Sequence, residues 1–242
     1  MKKSVLIALV MCMSLGVQAQ WGKKIRGNGN YTTVERNVGD YDHVAMAGWF
    51  DLDIVAGKEG TITLEGESNL LEYIKTEVKD GKLTVKVKKG VNLKPSDWNK
   101  GIQITVPVKE ISGVTMSGSG DIVGRTTLKS DTFKTTMSGS GDITLDVDAD
   151  NVKATLAGSG DINLSGNAKD FTATISGSGD IKAYDLKAAY VTAQVSGSAD
   201  VRVYATEKLT ARVSGSGDVR YKGNPAKVDS KVSGSGDVSG YR

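Results

Sequence analysis

Apolar and polar residues alternate through Val152-Lys153-Ala154-Thr155-Leu156 and again through Ile162-Asn163-Leu164. A strand sends successive side chains to opposite faces, so this period of two predicts strands with Val152, Ala154, Leu156, Ile162 and Leu164 inward and Lys153, Thr155 and Asn163 in water. The same phase returns in Phe133, Thr135, Met137, Ile143 and Leu145, and in Phe171, Ala173, Ile175, Ile181 and Ala183. Between the strands stands Ser-Gly-Ser-Gly-Asp followed by Ile or Val. Its seven copies end at Asp121, Asp142, Asp161, Asp180, Asp200, Asp218 and Asp237, 18 to 21 residues apart, with Ala157 and Ala199 as the departures. A period of this size marks stacked supersecondary units.

The two glycines of each copy fall on the inward phase, which predicts a corner where the chain bends, approaches the opposite wall too closely for a Cβ, or needs a backbone angle only Gly takes cheaply. One coil then consists of a strand such as Phe171 to Ser176, the Gly corner, a second strand such as Asp180 to Tyr184, and a polar return such as Asp185 to Ala189. Neither strand hides its apolar face alone. Stacking coils about 4.8 Å apart buries a continuous column and pairs the backbone between coils. The expected fold is all-β: a single-stranded parallel β-helix of about 19–20 residues per coil, right-handed by the preference for right-handed crossovers. The alternation and the density of Gly exclude a helical solenoid.

Before Val114 the repeat fades, and residues 30–113 are expected to form broader, irregular coils ahead of the regular ones over 114–242, with a separate small β domain as the alternative. Gly48 and Asp51 keep the corner spacing, so Met46 to Ile54 reads as a degenerate corner. Thr61 to Glu65, Lys82 to Lys88 and Ile102 to Val108 alternate cleanly, and Asp80-Gly81 is a hairpin signal. Ser68 ahead of Leu70, Leu71, Tyr73 and Ile74 predicts one short helix capped by Ser68. At the other end, no proline or capping helix blunts the strands around Val238 to Arg242. An exposed edge invites pairing, so homo-oligomers through the C-terminal coil are expected.

Residues 1–19 read as a signal peptide: Lys2 and Lys3, the apolar stretch Val5 to Val17, then Val17-Gln18-Ala19 as a cleavage site before an extension over 20–29. An exported chain is therefore expected, in the periplasm, at the outer membrane or outside the cell. The stretch is short against the roughly 20 residues of a membrane helix, and no later segment replaces it. A rival reading cuts before Cys12 and lipidates it, but Met11 is bulky where such sites take a small residue. Cleavage after Ala19 removes the single cysteine, so no disulfide is expected. It also lowers the formal charge from +3 to +1, with 29 basic against 28 acidic residues left. That balance argues against nucleic acid as a partner.

Leu70 to Ile74, Thr76 to Val85, Lys89 to Leu93 and the Ser-Gly-Ser-Gly-Asp coils, behind the leader, resemble the bacterial proteins described as putative autotransporter adhesins with a head GIN domain, a family also known as a domain of unknown function. The resemblance covers about residues 30–240. It implies a parallel β-helix in or outside the cell envelope and brings no catalytic residues with it.

The seven repeat aspartates form an outward ladder if the coils stack in register, and like charges at that spacing repel by roughly 0.9 kcal/mol per pair in water. Two compensations stand. Each Asp accepts a hydrogen bond from a nearby corner N–H, or neighbouring carboxylates share Ca²⁺, a hard cation served by oxygen ligands. The hydrogen-bonded form is favoured, because Gly120 and Asp121 are adjacent where the nine-residue Ca²⁺ repeat separates its last Gly from Asp. A phosphate cradle fails, since a strand and not a helix follows the glycines. His43 is the only histidine, which excludes a multi-histidine metal centre. Trp21, Trp49 and Trp98 are too sparse for a sugar platform, and Trp49 is expected at the edge of the core. Some β-helices are polysaccharide lyases, which would need an Asp with Arg125, Arg202, Arg212 or Arg220. Those arginines mark no distinct motif. The reading is a non-enzymatic envelope or surface protein that binds glycan or protein, adhesin-like, with a lyase-like enzyme or a structural rod as alternatives.

Overall fold

A computed structural model describes residues 22–241, so the leader, Cys12 and Trp21 lie outside the described residues. The N-terminal part runs through β1 (Lys23–Arg26), β2 (Tyr31–Gly39), β3 (His43–Gly48), β4 (Asp51–Ala56), β5 (Gly60–Glu67), α1 (Ser68–Leu71), β6 (Ile74–Lys79), β7 (Lys82–Val87), β8 (Val91–Lys94) and β9 (Gln103–Val108). Then β10 (Gly113–Gly118) leads into the winding strands β11 (Ile122–Gly139), β12 (Ile143–Gly158), β13 (Ile162–Gly177), β14 (Ile181–Gly197) and β15 (Val201–Gly215). The last coil holds β16 (Val219–Lys222), β17 (Lys227–Gly234) and β18 (Val238–Gly240).

From β10 onward each coil pairs in parallel with the next, and the stack is a β-solenoid of about seven turns. Equivalent residues lie one above another: Met116, Met137, Leu156, Ile175, Val195 and Val213 form one row of the column. Ile122, Ile143, Ile162, Ile181, Val201 and Val219 form a second. The inward set read from the alternation is buried, with Val152, Ala154, Leu156, Ile162 and Leu164 all at 3% exposure or less. Thr135 takes an inward place with its hydroxyl unpartnered among the described residues. A side chain buried in this way contributes roughly 1.5–3 kcal/mol, realised only while coils above and below keep water out.

The polar return is a correction. Asp185 to Ala189 belongs to β14 and stays in the ladder, with Leu186 and Ala188 buried. A bulge between Lys182 and Asp185 absorbs one residue and carries Leu186 inward. Alternation breaks instead where two outward residues follow each other, at Asp150–Asn151 and Lys169–Asp170, and these form a second corner.

Below the regular coils, β3 and β4 pair in parallel with β10 and β11, so the degenerate corner is a true coil, with Gly48 beneath Gly118. Beyond it the chain reverses. β5 pairs antiparallel with β9 and with β2, and β6 pairs antiparallel with β7 across Asp80 and Gly81, both at positive φ. The edge strands carry Glu35 and Arg36 on β2 and Lys75, Glu77 and Lys79 on β6, charges that disfavour further pairing. Helix α1 is one turn, and Ser68 does not cap it: its Oγ accepts a hydrogen bond from Asn28 Nδ2 at 2.9 Å, while Glu67 stands at the N-cap.

Glu67 is 1% exposed and clasps the N-terminal segment. Its carboxylate accepts the Gly29 N–H and, at 2.8 Å, the Ser96 N–H, and a Cβ on Gly27 would overlap it. Burial pushes this carboxyl up, but the hydrogen bonds from Ser96 and Gly29 outweigh it and hold the group below its usual range. β1, paired with β8, is thereby tied to the stack.

Candidate functional site

The corners present the most regular outer surface of the molecule. Built on its backbone, a Cβ at Gly139 would fall on the carbonyl oxygen of Gly118, one at Gly158 on Gly139, and one at Gly141 on Gly120. The obstacle is therefore the backbone of the preceding coil and not the opposite wall, which corrects that one of the expected causes. The first glycine of later corners also takes positive φ, +125° at Gly215 and +128° at Gly234. Ala199 carries a methyl at a second-glycine position, and there the corner is looser: Ser198 N to Gly177 O is 3.2 Å, against 2.9 Å for Ser140 N to Gly118 O.

The aspartates use the same stacking. Asp142 N–H donates to Asp121 Oδ1, Asp161 N–H to Asp142 Oδ1 and Asp180 N–H to Asp161 Oδ1, each at 2.9 Å. Asp200, Asp218 and Asp237 continue the series onto Asp180, Asp200 and Asp218. The first acceptor is Asp51 of the degenerate corner, which takes the Asp121 N–H at 2.9 Å. The hydrogen-bonded form of the ladder is thus present, but the donor sits in the next coil and not in the residue's own turn. Asp51 has its carboxyl pushed up by burial, against the hydrogen bond from Asp121. Asp237 accepts no such bond among the described residues. Of Asp121, Asp142, Asp161, Asp180, Asp200, Asp218 and Asp237, none joins a group of three or more His, Cys, Asp or Glu side chains placed to hold a metal ion, among the described residues.

Beside the ladder runs a row of cations that the sequence reading missed. Lys182, Arg202 and Arg220 stand two residues after Asp180, Asp200 and Asp218 and are in register one coil apart, continuing the row of Thr144 and Asn163. Two residues on means the same strand face, so Asp-Ile-Lys and Asp-Val-Arg carried the signal. Lys182 Nζ meets Asp161 Oδ2 at 2.5 Å and Arg220 meets Asp218 at 3.0 Å. Arg202 lies looser, 3.5 Å from Asp180 and 3.8 Å from Asp200, and makes no hydrogen bond among the described residues. The lower ladder, Asp121, Asp142 and Asp161, has no basic residue two positions on, and of these only Asp161 meets a cation of the row, Lys182.

A groove of about 510 Å³ opens along this row, lined by Asn163, Ser165, Lys182, Tyr184, Asp185 and Arg202 among others. The Tyr184 ring packs 5.5 Å from that of Tyr241, and the Lys222 ammonium sits over both, 4.6 Å and 5.4 Å from their centroids. Burial raises the Tyr184 phenol pKa, opposed by Arg202 and Arg220.

The remaining sequence candidates are dispersed. His43 is half-buried with Nε2 2.9 Å from Thr115 Oγ1, and burial and Lys82 push its pKa down. Arg125 pairs with Asp53 and Arg212 with Asp229, so the four arginines do not converge on one aspartate. Trp49 packs half-buried against the core with Trp98 5.5 Å away, tilted and exposed.

The family model described as "Putative auto-transporter adhesin, head GIN domain" matches residues 40–225. Among curated proteins nothing matches the sequence. A solved structure of a putative adhesin from Bacteroides fragilis is similar with a TM-score of 0.84 and 24% identity, covering 90% of this chain and all of that one. A putative lipid binding protein from Parabacteroides distasonis has a TM-score of 0.75 and 27% identity, covering 91% of this chain and all of that one. A putative adhesin from Parabacteroides merdae has a TM-score of 0.71 and 23% identity over 91% of this chain and all of that one. No helix among the described residues is long and apolar enough to cross a membrane.

Proposed function

The chain belongs to that head GIN domain family, and on this premise we propose that it is an exported, non-enzymatic binding module of the cell envelope whose outer face takes an extended acidic glycan. The observation that carries the reading is the row Lys182, Arg202 and Arg220, in register beside a groove with polar and aromatic walls. Cations one rung apart, about 4.8 Å, repeat along a line as the charges of a linear polyanion do. Arg202 keeps N–H donors free for a carboxylate, and Asn163, Ser165 and Asp185 offer partners for hydroxyls. Tyr184 supplies an apolar ring edge against which a sugar packs. Export rests on the leader at residues 1–19.

The test is binding of polygalacturonate against neutral galactan by calorimetry at two salt concentrations. The acidic polymer should bind, more weakly at high salt, and the combined Lys182→Ala, Arg202→Ala and Arg220→Ala variant should lose about tenfold or more in affinity. Equal binding of both polymers, or an unchanged variant, overturns the reading. Release of an unsaturated product would make the protein a lyase instead, and recovery only as part of a stable envelope complex would make it a structural rod.

A further inference from the structure

We propose that β17 is a self-complementary edge through which two copies of this chain join about a two-fold axis. Within the stack the inward positions are sealed: Leu209, Ala211 and Val213 are at 3% exposure or less. Their register partners one coil on are Val228, Ser230 and Val232, and there the seal ends. Val228 is 40% and Val232 39% exposed, and all eight residues of β17 are exposed. Its one edge pairs with β15; its other edge carries no strand among the described residues.

What covers that edge follows from the order of side chains along it. In an antiparallel pair, directly opposite residues point to the same face, so a two-fold axis must pass through a residue to keep inward opposite inward. With the axis at Ser230, Val228 faces the second copy's Val232 and Asp229 faces the second copy's Lys231. The apolar contact and the charge pair are then matched at once, and each occurs twice by symmetry. Moving the axis to Asp229 sets Lys227 against Lys231 and Val228 against Ser230. A register centred on Val228 also sets Val228 against its own copy and Lys227 against Asp229, but it leaves Val232 opposite Asn224, outside β17; only the register centred on Ser230 gives both valines a valine partner. Asp229 is already oriented by Arg212 at 2.9 Å, which fixes the carboxylate that the second copy's Lys231 meets.

At the other end of the solenoid, no strand edge of β2 or β6 offers a competing partner among the described residues. That end closes in antiparallel strands whose edges carry Glu35, Lys75, Glu77 and Lys79, so growth of a head-to-tail filament is disfavoured and a closed dimer results.

Sedimentation of the full chain should show a concentration-dependent dimer. Asp229→Lys and Lys231→Asp should each yield monomer, and the double exchange should restore the dimer, a rescue that simple misfolding would not produce. In a Cys12→Ser background, Ser230→Cys should couple to itself under mild oxidation, whereas Lys227→Cys, which faces the second copy's Ser233, should not. A chain monomeric at its highest soluble concentration, or equal coupling at positions 227 and 230, overturns the proposal. The glycan measurement is made per chain, so the two readings fail separately.

Discussion

In the N-terminal part the inward positions hold Phe50, Leu52, Ile54, Ile62, Leu64 and Leu70, whereas the pre-corner strands of the later coils repeat Ala154, Ala173, Ala193 and Ala211 at their centre. Bulky, non-repeating side chains accompany reversals of the chain, and single contacts hold those reversals. Arg36 Nη2 donates to the Leu71 carbonyl at 2.7 Å, Tyr41 donates to that of Pro107 at 2.6 Å, and Glu67 clasps Gly29 and Ser96. Small side chains accompany close, identical coils, where one glycine contact and one aspartate bond recur at every turn. In the first region a residue matters for what it alone does. In the second it matters for its place in a series.

The widest break in this contrast should come from the corners. Gly139→Val adds a side chain where the Gly118 carbonyl stands, and should cost about 4 kcal/mol or abolish folding in urea titration, an effect at the far end of single substitutions. Glu67→Ala should cost about 1–2 kcal/mol by removing the charged acceptor of the Gly29 and Ser96 N–H groups, with hydrogen-exchange protection lost around residues 27–30 and retained in β12 to β14. The sign of its pH dependence follows from its depressed carboxyl. The clasp contributes stability above the ordinary glutamate range, and loses it as pH falls through the folded-state value, so wild type should lose more stability than Glu67→Ala between neutral pH and acid.

Within the series, position decides. Asp142→Ala removes the acceptor of the Asp161 N–H and should cost about 1–2 kcal/mol, while Asp237→Ala, which removes no such bond, should change stability by less than about 0.5 kcal/mol. Equal losses at the two sites would show that the ladder bond contributes nothing. Least of all should calcium matter: melting in EDTA and in millimolar Ca²⁺ should agree within about 1 °C, since a cation that binds only the native state would raise it.

Much of this was legible from alternation alone. The strands β5, β7 and β9, the corner series and the degenerate corner at Gly48 follow from residues whose pattern is local, whereas the pairing of Gly48 with Gly118 does not. The return through Leu186 was hidden because one bulged residue shifts the phase, and a phase shift cannot be seen without the partner strand. Glu67 looked like any polar residue before a helix, because Gly27, Gly29 and Ser96 come from distant parts of the chain. The cation row was written in the sequence as Asp-Ile-Lys and Asp-Val-Arg, but its meaning needed the coils placed one above another.

The sequence by itself determined which side chains face the column, where each coil bends and how far apart the bends fall, since a period of two and a glycine-rich corner are properties of a single strand. Only the tertiary structure decided what those bends are for. A corner glycine yields space to the carbonyl of the previous turn, an aspartate bonds the backbone of the next, and three cations from three coils form one row, two of them lining a groove. Each of these contacts joins residues about twenty positions apart that meet only because the chain has wound once around, and no local rule of residue preference reaches across that winding.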